Sequence, residues 1–578
     1  MRSPGPLRFW LGVSALAALG VLLVADHARN DSPTMDEPFH TLAAAEYAIA
    51  GTYNANLEHP PLVKLLSGFA VRAAGSRPPR MDEPFSMRTA EQPRPFAFHS
   101  TLTPERLFGA ARAPVAALFF VLVLAVGGAV RHWGGSAAGL LAAALVAFEP
   151  NLVAHAGIVH TDLAAALGFF GTLVLGLLAL ERRSLALWAF CGAALGASLA
   201  AKFSCVLLVP MVAVLALAGI FRERRDAARE GRPASRTAAA GLLLAGAAAA
   251  AVLFASYAVA MRHMSPRDAE GAVKTFLASR EAPEETVERV AAISRISKEA
   301  GHYAAGLAGI AVQNRTGGGV NFLHGKLSVD GFWDYFFVAF AAKSALGFLF
   351  VVAAAFLLAA VKRDRLTLVL WSLVLPVAYL FLTGMATSYN IGIRHMLPVY
   401  PLLASAAVLL VFRALSARAA AALLTASAAI QAAETLAVHP HELSFFNAAF
   451  GGPSNGAAWL NDSNLDWGQD LGRLAARLRS HGEEAATTIA YFGGADPAYY
   501  APAARVYDPL RDPLKPGLYA VSEFIRCCGP EATAFHGDLA GASGLERLRR
   551  ALKERGTPLP QEGMGYSIIL WELKEKSP

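Results

Sequence analysis

Residues 107–130 read LFGAARAPVAALFFVLVLAVGGAV. At 1.5 Å of rise per residue, a helix of this length crosses the ~30 Å hydrocarbon core of a bilayer. Working outward, ten further apolar runs follow the same rule: 9–25, 137–154, 163–180, 185–201, 203–221, 237–260, 336–361, 366–383, 396–413 and 417–436. The runs 185–201 and 203–221 are nearly continuous, with a hinge near Lys202, so ten or twelve spans fit the pattern as well. The first run follows Arg2 and Arg8, as a signal peptide would. Asp26-His27-Ala28-Arg29 comes next instead of a small-residue cleavage site, which predicts a retained helix.

The composition agrees. Of 578 residues, 55% are hydrophobic and 16% charged, with mean hydropathy +0.41. A soluble protein carries about a quarter charged residues. A disordered chain, a collagen-like chain and an ordinary cytosolic enzyme are excluded. The net charge of +7 does not point to nucleic acid, because many of the cations sit in short loops between apolar runs. Those loops follow the rule that cytoplasmic connections gather Lys and Arg. With the N-terminus inside, the inner loops hold Arg131, Arg182-Arg183, six arginines within 221–236, Lys362 to Arg365, and Arg413 to Arg418. The outer face then receives loops 26–106 and 261–335, the turns 151–162 and 384–395, and everything after 437.

The expected fold is therefore an all-α polytopic membrane protein of about eleven spans, residues 1–436, with a C-terminal soluble α/β module over 437–578. Short strands are expected at Thr487–Phe492, Leu518–Glu523 and Tyr566–Leu573, and helices near 468–480 and 544–554. The four cysteines form no disulfide framework or zinc spacing, and adjacent Cys527 and Cys528 could bond only with strain.

The chemistry should lie on the outer face, where the long loops are. Met35-Asp36-Glu37-Pro38-Phe39-His40 follows the first span and leads into a helix-forming stretch that stops at Gly51. Asp36 fits either an N-cap or a general base held at the membrane surface. Glu58-His59-Pro60-Pro61 precedes Leu62–Ala74, an apolar stretch too short to span and suited to lie flat at the interface. Lys64 there either binds phosphate or snorkels to the headgroups. Asp162, at the start of a span, is a helix cap or a site residue. With Glu58 it offers oxygen ligands for a divalent cation. His155, His160, His302 and His324 show no zinc spacing, and His324 to Lys326 could touch donor or acceptor.

These motifs together resemble the protein O-mannosyltransferases, and more broadly the GT-C glycosyltransferases of family 39 that use a polyprenyl-phosphate sugar. The matching residues are Asp36-Glu37, His59-Pro60-Pro61-Leu62-Val63-Lys64, Pro150 to His155 with Thr161-Asp162, Lys202, Gly331 to Tyr335 with Lys343, and Asn390 to His395 with Leu397-Pro398. The resemblance implies sugar transfer with inversion and Asp36 as base beside Glu37. His59, Lys64, Lys202, Lys343 and Arg394 would hold the donor phosphate, with Glu58, Asp162, Asn390 and His324 nearby. Some relatives use a divalent metal and some do not. The implied partners are the lipid-phosphate sugar, a lipid, glycan or protein acceptor, and membrane lipids. The implied location is a bacterial-type inner membrane with the C-terminal module periplasmic. Loop 261–335 is too short for the β-trefoil repeats of the mannosyltransferases. The tail, with Asn447 to Pro453 and Asn461 to Asp470, looks like that of bacterial members whose acceptors vary. Met81 to Phe85 repeats Met35 to Phe39, but among prolines and away from any span, so the first copy is the expected site. A transporter or lipid flippase is the alternative. It would place ionisable groups at mid-membrane on interrupted helices in related halves, which the sequence does not show.

Overall fold

The computed structural model describes residues 5–77, 93–231, 233, 235–317, 319–362 and 367–575. The repeat at Met81 to Phe85 lies outside them. Every one of the eleven apolar runs is largely helical, yet fewer count as separate spans. Among the described residues, seven helices are long and apolar enough to cross, or eight with one bent pair. The difference from eleven has three causes. Runs 107–130 and 137–154 fall within Pro104–Ala147, a continuous segment counted once, but it breaks at Gly135 (φ 86°) into two helices folded back on each other, with a Cβ on Gly139 standing 2.5 Å from Gly127 O. Leu185–Ala201 and Val399–Ala414 are short, at 17 and 16 residues. Run 336–361 folds as Tyr335–Lys343 and Leu346–Val361, bent by 114°.

That bend exposes backbone groups which must be satisfied at membrane depth. The tail supplies partners. Asn447 Nδ2 donates to the carbonyls of Ala341 and Ser344, and Lys343 Nζ donates to those of Leu443 and Asn464. Residues 439–470 are thus laid over the helix ends before the sheet module begins. Between spans, small residues allow close approach. A Cβ on Gly192 or Gly196 would stand 2.2 or 2.4 Å from the carbonyl oxygen of Ala245 or Ala249. This is the small-residue packing by which helices associate in lipid. Leu7, Leu22, Phe221, Leu243 and Leu357 stay exposed on the outside of the bundle, as lipid contact requires.

At one end of the bundle two short helices, Glu37–Ala45 and Leu62–Ala73, pack together. Gly68 lies against Ala44, and Ser67 Oγ donates to Ala111 O at 2.8 Å. Loop 261–335 forms the helices Pro266–Ser279, Glu284–Ile296 and Lys298–Thr316, then a hairpin pairing Asn321–Leu323 with Lys326–Ser328.

The C-terminal module has a five-stranded sheet. Its order is Arg505–Val506, Thr487–Ala490, Gly517–Ser522, Ile568–Leu573, Gly556–Pro558. The first two pairings are parallel and the last two antiparallel. Helices Leu471–Ser480 and Leu539–Arg555 match the expected stretches, and Glu523–Phe535 adds a third. Leu471, Leu474 and Leu478 bury against Phe98 and Phe108, so the module shares a core with the first outer loop. Cys527 and Cys528 are joined by a disulfide.

Candidate active site

Asp36 does not cap the helix it precedes. Its backbone is αR, its side chain makes no capping hydrogen bond, and the carboxylate is 35% exposed. Oδ2 lies 3.6 Å from His160 Nε2 and 3.5 Å from Arg394 Nη1. Burial pushes this carboxyl up, but His160 and Arg394 outweigh it and hold it below the usual range. Asp162 is no cap either. It is fully buried, paired with Lys202 and His160, and 3.8 Å from Arg394.

His160 joins the two carboxylates. Arg394 Nη1 stands 2.7 Å from its Nε2. A guanidinium can only donate, so Nε2 accepts and the ring proton belongs on Nδ1, towards Asp162. Beneath them lies Trp467, with Arg394 Cζ 4.4 Å from its ring centre and the His160 ring at 5.6 Å. Trp467 comes from the tail, so the tail builds the floor of this cluster.

Asp36, His40, His59, His160, Lys202 and Arg394 face a cavity of about 600 Å³. Phe169, Leu207, Phe276, Phe336 and Leu380 give the same cavity an extensive apolar lining. Polar at one end and greasy at the other, it suits a ligand with a charged head and a hydrocarbon tail. Lys64 does not line the cavity but is buried beside two residues that do, His59 and Asn56, at 1% exposure. Nζ donates to His59 O at 3.1 Å and Asn56 Oδ1 at 3.4 Å. No carboxylate pairs with it among the described residues, and burial holds its ammonium well below the usual lysine range. A buried cation with no counter-ion is costly unless an anion joins it.

Several expected site residues lie elsewhere. Glu37 is buried behind the cavity, and both its oxygens accept from Arg112 at 2.7 Å. Thr34 N and Val159 N fill its remaining lone pairs. Lys343 serves the bend, far from a phosphate role. Asn390 ties two loops, accepting from Phe332 N at 2.6 Å and donating its own N–H to Asn321 Oδ1 at 2.7 Å. His324 stacks on Trp459 with ring centres 4.5 Å apart. Neither lines the cavity. Glu58 does, but Arg280 neutralises it. Glu58 and Asp162, each satisfied by its own cations, do not form the expected metal pair. Among the described residues only His40, His59 and His160 gather three candidate ligand atoms.

Residues 101–245 match the family model described as dolichyl-phosphate-mannose-protein mannosyltransferase. The matched stretch contains Arg112, His155, His160, Asp162 and Lys202. No match is found among curated protein sequences. Three solved structures are similar at low identity. The Saccharomyces cerevisiae protein O-mannosyltransferase Pmt1-Pmt2 complex bound to the sugar donor is 18% identical with a TM-score of 0.35, covering 48% of this chain and 37% of that one. The Archaeoglobus fulgidus oligosaccharyltransferase in complex with Zn and sulfate is 14% identical with a TM-score of 0.46, covering 96% and 73%. ArnT from Cupriavidus metallidurans bound to undecaprenyl phosphate is 12% identical with a TM-score of 0.31, covering 98% and 98%. The chain thus spans little more than a third of the first of these, and the roles argued below rest on its own side chains.

Proposed function

We propose that this chain is a multi-pass membrane glycosyltransferase that moves a sugar from a polyprenyl-phosphate donor to an acceptor at the outer face. The observation that carries this reading is the amphipathic cavity, with a half-open carboxylate and buried cations at its polar end. The prenyl chain lies along the apolar lining. Arg394, Lys64 and Lys202 are the cations within reach of the phosphate, and arginine can grip it with two parallel hydrogen bonds. The acceptor oxygen attacks the anomeric carbon from the face opposite the phosphate. The bond to the phosphate oxygen breaks, polyprenyl phosphate leaves, and the configuration inverts. Asp36 takes the acceptor's proton.

Arg394 is shared in this scheme. Without donor it holds Asp36 ionised but weakly basic. When the phosphate draws Arg394 away, Asp36 loses that pull and becomes a better base. Donor binding and base activation are then one event. The N-terminus is cytoplasmic and residues 437–578 lie outside, in a bacterial-type inner membrane. This follows the arginine clusters of the inner loops.

Transfer of labelled sugar from a polyprenyl-phosphate donor by the purified chain tests the reading. Lipid translocation without transfer would replace it with a flippase. Labelling of a cysteine placed in loop 221–236 from outside intact cells would overturn the orientation.

A further inference from the structure

We propose that His40, His59 and His160 bind one divalent transition-metal ion of the zinc class at the polar end of the cavity. The three residues come from separate elements: the helix Glu37–Ala45, the loop before Leu62–Ala73, and the turn before Asp162–Arg182. They share no sequence spacing, yet their ligand atoms all lie within 4.8 Å of one another. Ring centres are 4.7 Å apart for His40 and His160, 5.1 Å for His40 and His59, and 5.4 Å for His59 and His160.

His40 is 2% exposed and lines the cavity. Among the described residues, no hydrogen bond is made by a ring nitrogen of His40 or His59. His40 is buried and His59 half-buried, and both line the cavity, so their unpartnered ring nitrogens are free to take a ligand there. His160 has the support that a metal-bound histidine needs. Asp162 sits at its Nδ1, the carboxylate–histidine arrangement that fixes the ring and leaves Nε2 for the metal. Tetrahedral bonds of ~2.0–2.1 Å place ligand atoms about 3.3 Å apart, so atoms now within 4.8 Å close up by at most about 1.5 Å on binding. Arg394 leaves Nε2 at the same time.

Charge supplies an independent reason. Lys202 is engaged by Asp162, and Arg394 is divided between Asp162 and Asp36. Lys202 and Arg394, which line this cavity, are thus already balanced by carboxylates, and the ammonium of Lys64 lies outside its lining. An ion held by three neutral imidazoles adds positive charge without another carboxylate. Three nitrogen ligands favour zinc, cobalt, nickel or copper over magnesium or calcium, which take oxygen.

The site is that of the proposed transfer, but metal binding can be read without donor or acceptor. The full chain, purified in detergent, freed of any affinity tag and stripped with chelator, is titrated with Co²⁺. Visible absorption and bound-metal analysis give affinity and stoichiometry, and Zn²⁺ and Mg²⁺ are used as competitors. We expect one ion per chain, displaced by Zn²⁺ and not by Mg²⁺. His40→Ala and His59→Ala should each weaken binding about ten- to a hundredfold, and the double variant should abolish it. Glu58→Gln should bind as the parent does. Size-exclusion profiles and Tm confirm that each variant is folded, and His40→Gln replaces His40→Ala if that variant is not. Absence of stoichiometric binding by the parent overturns the proposal. So does unchanged affinity in the double variant, or loss in Glu58→Gln alone. Transfer without metal binding sinks only this inference, and metal binding without transfer sinks only the proposed function.

Discussion

Asp36 and Glu37 are adjacent in the chain and opposite in surroundings. Glu37 is sealed, with its oxygens accepting from Arg112 twice and from two backbone N–H groups at 2.7–3.0 Å. Arg112 in turn donates to the carbonyls of Ala28 and Asp31, clamping the first span to the second. Asp36 is open, with Arg394 Nη1 at 3.5 Å, His160 Nε2 at 3.6 Å and a third of its side chain exposed. A carboxylate with every lone pair filled can hold a structure but cannot take a proton. One whose partners stand back can do both in turn. The comparison teaches that residue type nominates an acid–base group, while the number of donors already attached decides whether it can act.

The largest effect should come from the open side. Asp36→Asn keeps size and should leave the fold intact, since the side chain caps nothing. Loss of a general base costs on the order of 10²–10⁴ in rate. Sugar transfer at saturating donor, with donor binding measured separately, checks this. Activity within tenfold of the parent would remove the base from Asp36. The closed side should break differently. Arg112→Ala leaves Glu37 buried without its partner, and such losses cost about 3–5 kcal/mol. A large drop in Tm is expected, with transfer per folded molecule nearly unchanged. A stable Arg112→Ala variant that had lost transfer would erase the distinction between the two sides.

The distinction was only half legible in the sequence. Length and apolarity exposed the helices, and alternating arginine clusters gave the expected order of loops. The count of spans depends on neighbours where a helix is short or bent. The bend at Lys343 is tolerable because Asn447 and residues 443–464 cover it, and no local pattern records that cover. Arg112 was invisible inside the run 107–130, since a single arginine barely lowers the hydropathy of 24 residues. The missed signal was an arginine inside a span, which in lipid demands a counter-ion. Asp36, Lys202 and Arg394 meet because motifs on three elements converge. His40 and Trp467 were missed as site residues because their roles arise only from that convergence. Lys343, Asn390 and His324 were nominated by their motifs, and the fold uses them as ties.

Lys64 sharpens the comparison from the cation side. Arg112 has its carboxylate, whereas Lys64 has none among the described residues and awaits an anion. Lys64→Met keeps the aliphatic stem and removes the charge. Loss of a charge-assisted hydrogen bond should cost about 1.5–3 kcal/mol, a ten- to hundredfold rise in donor KM. Tm should hold or rise, because an uncompensated buried charge is gone. Donor titrations of the folded variant give the answer, and an unchanged KM would return Lys64 to a purely structural place.

The smallest effect concerns Asp462, a carboxylate of the tail that acts on Arg394 and Asp36. It sits in left-handed backbone with φ 56° and accepts from Ser463 N at 2.5 Å. Burial raises its carboxyl to about 7, although Arg394 and the Ser463 N–H pull the other way. A group whose folded pKa is raised contributes stability that is fully present below its unfolded value, near 3.8. That stability is lost as pH rises through the folded value. The window is therefore about pH 4 to 7, and stability should fall across it as Asp462 is forced to ionise. Asn tolerates left-handed backbone and can still accept from Ser463 N. Asp462→Asn should remove this slope and raise stability above pH 7 by on the order of 1 kcal/mol, a modest figure because the side chain keeps some water. The measurement is Tm against pH for parent and variant in the same detergent. Parallel curves would mean that Asp462 ionises freely. Its charge would then join those of Asp36 and Asp162 around Arg394.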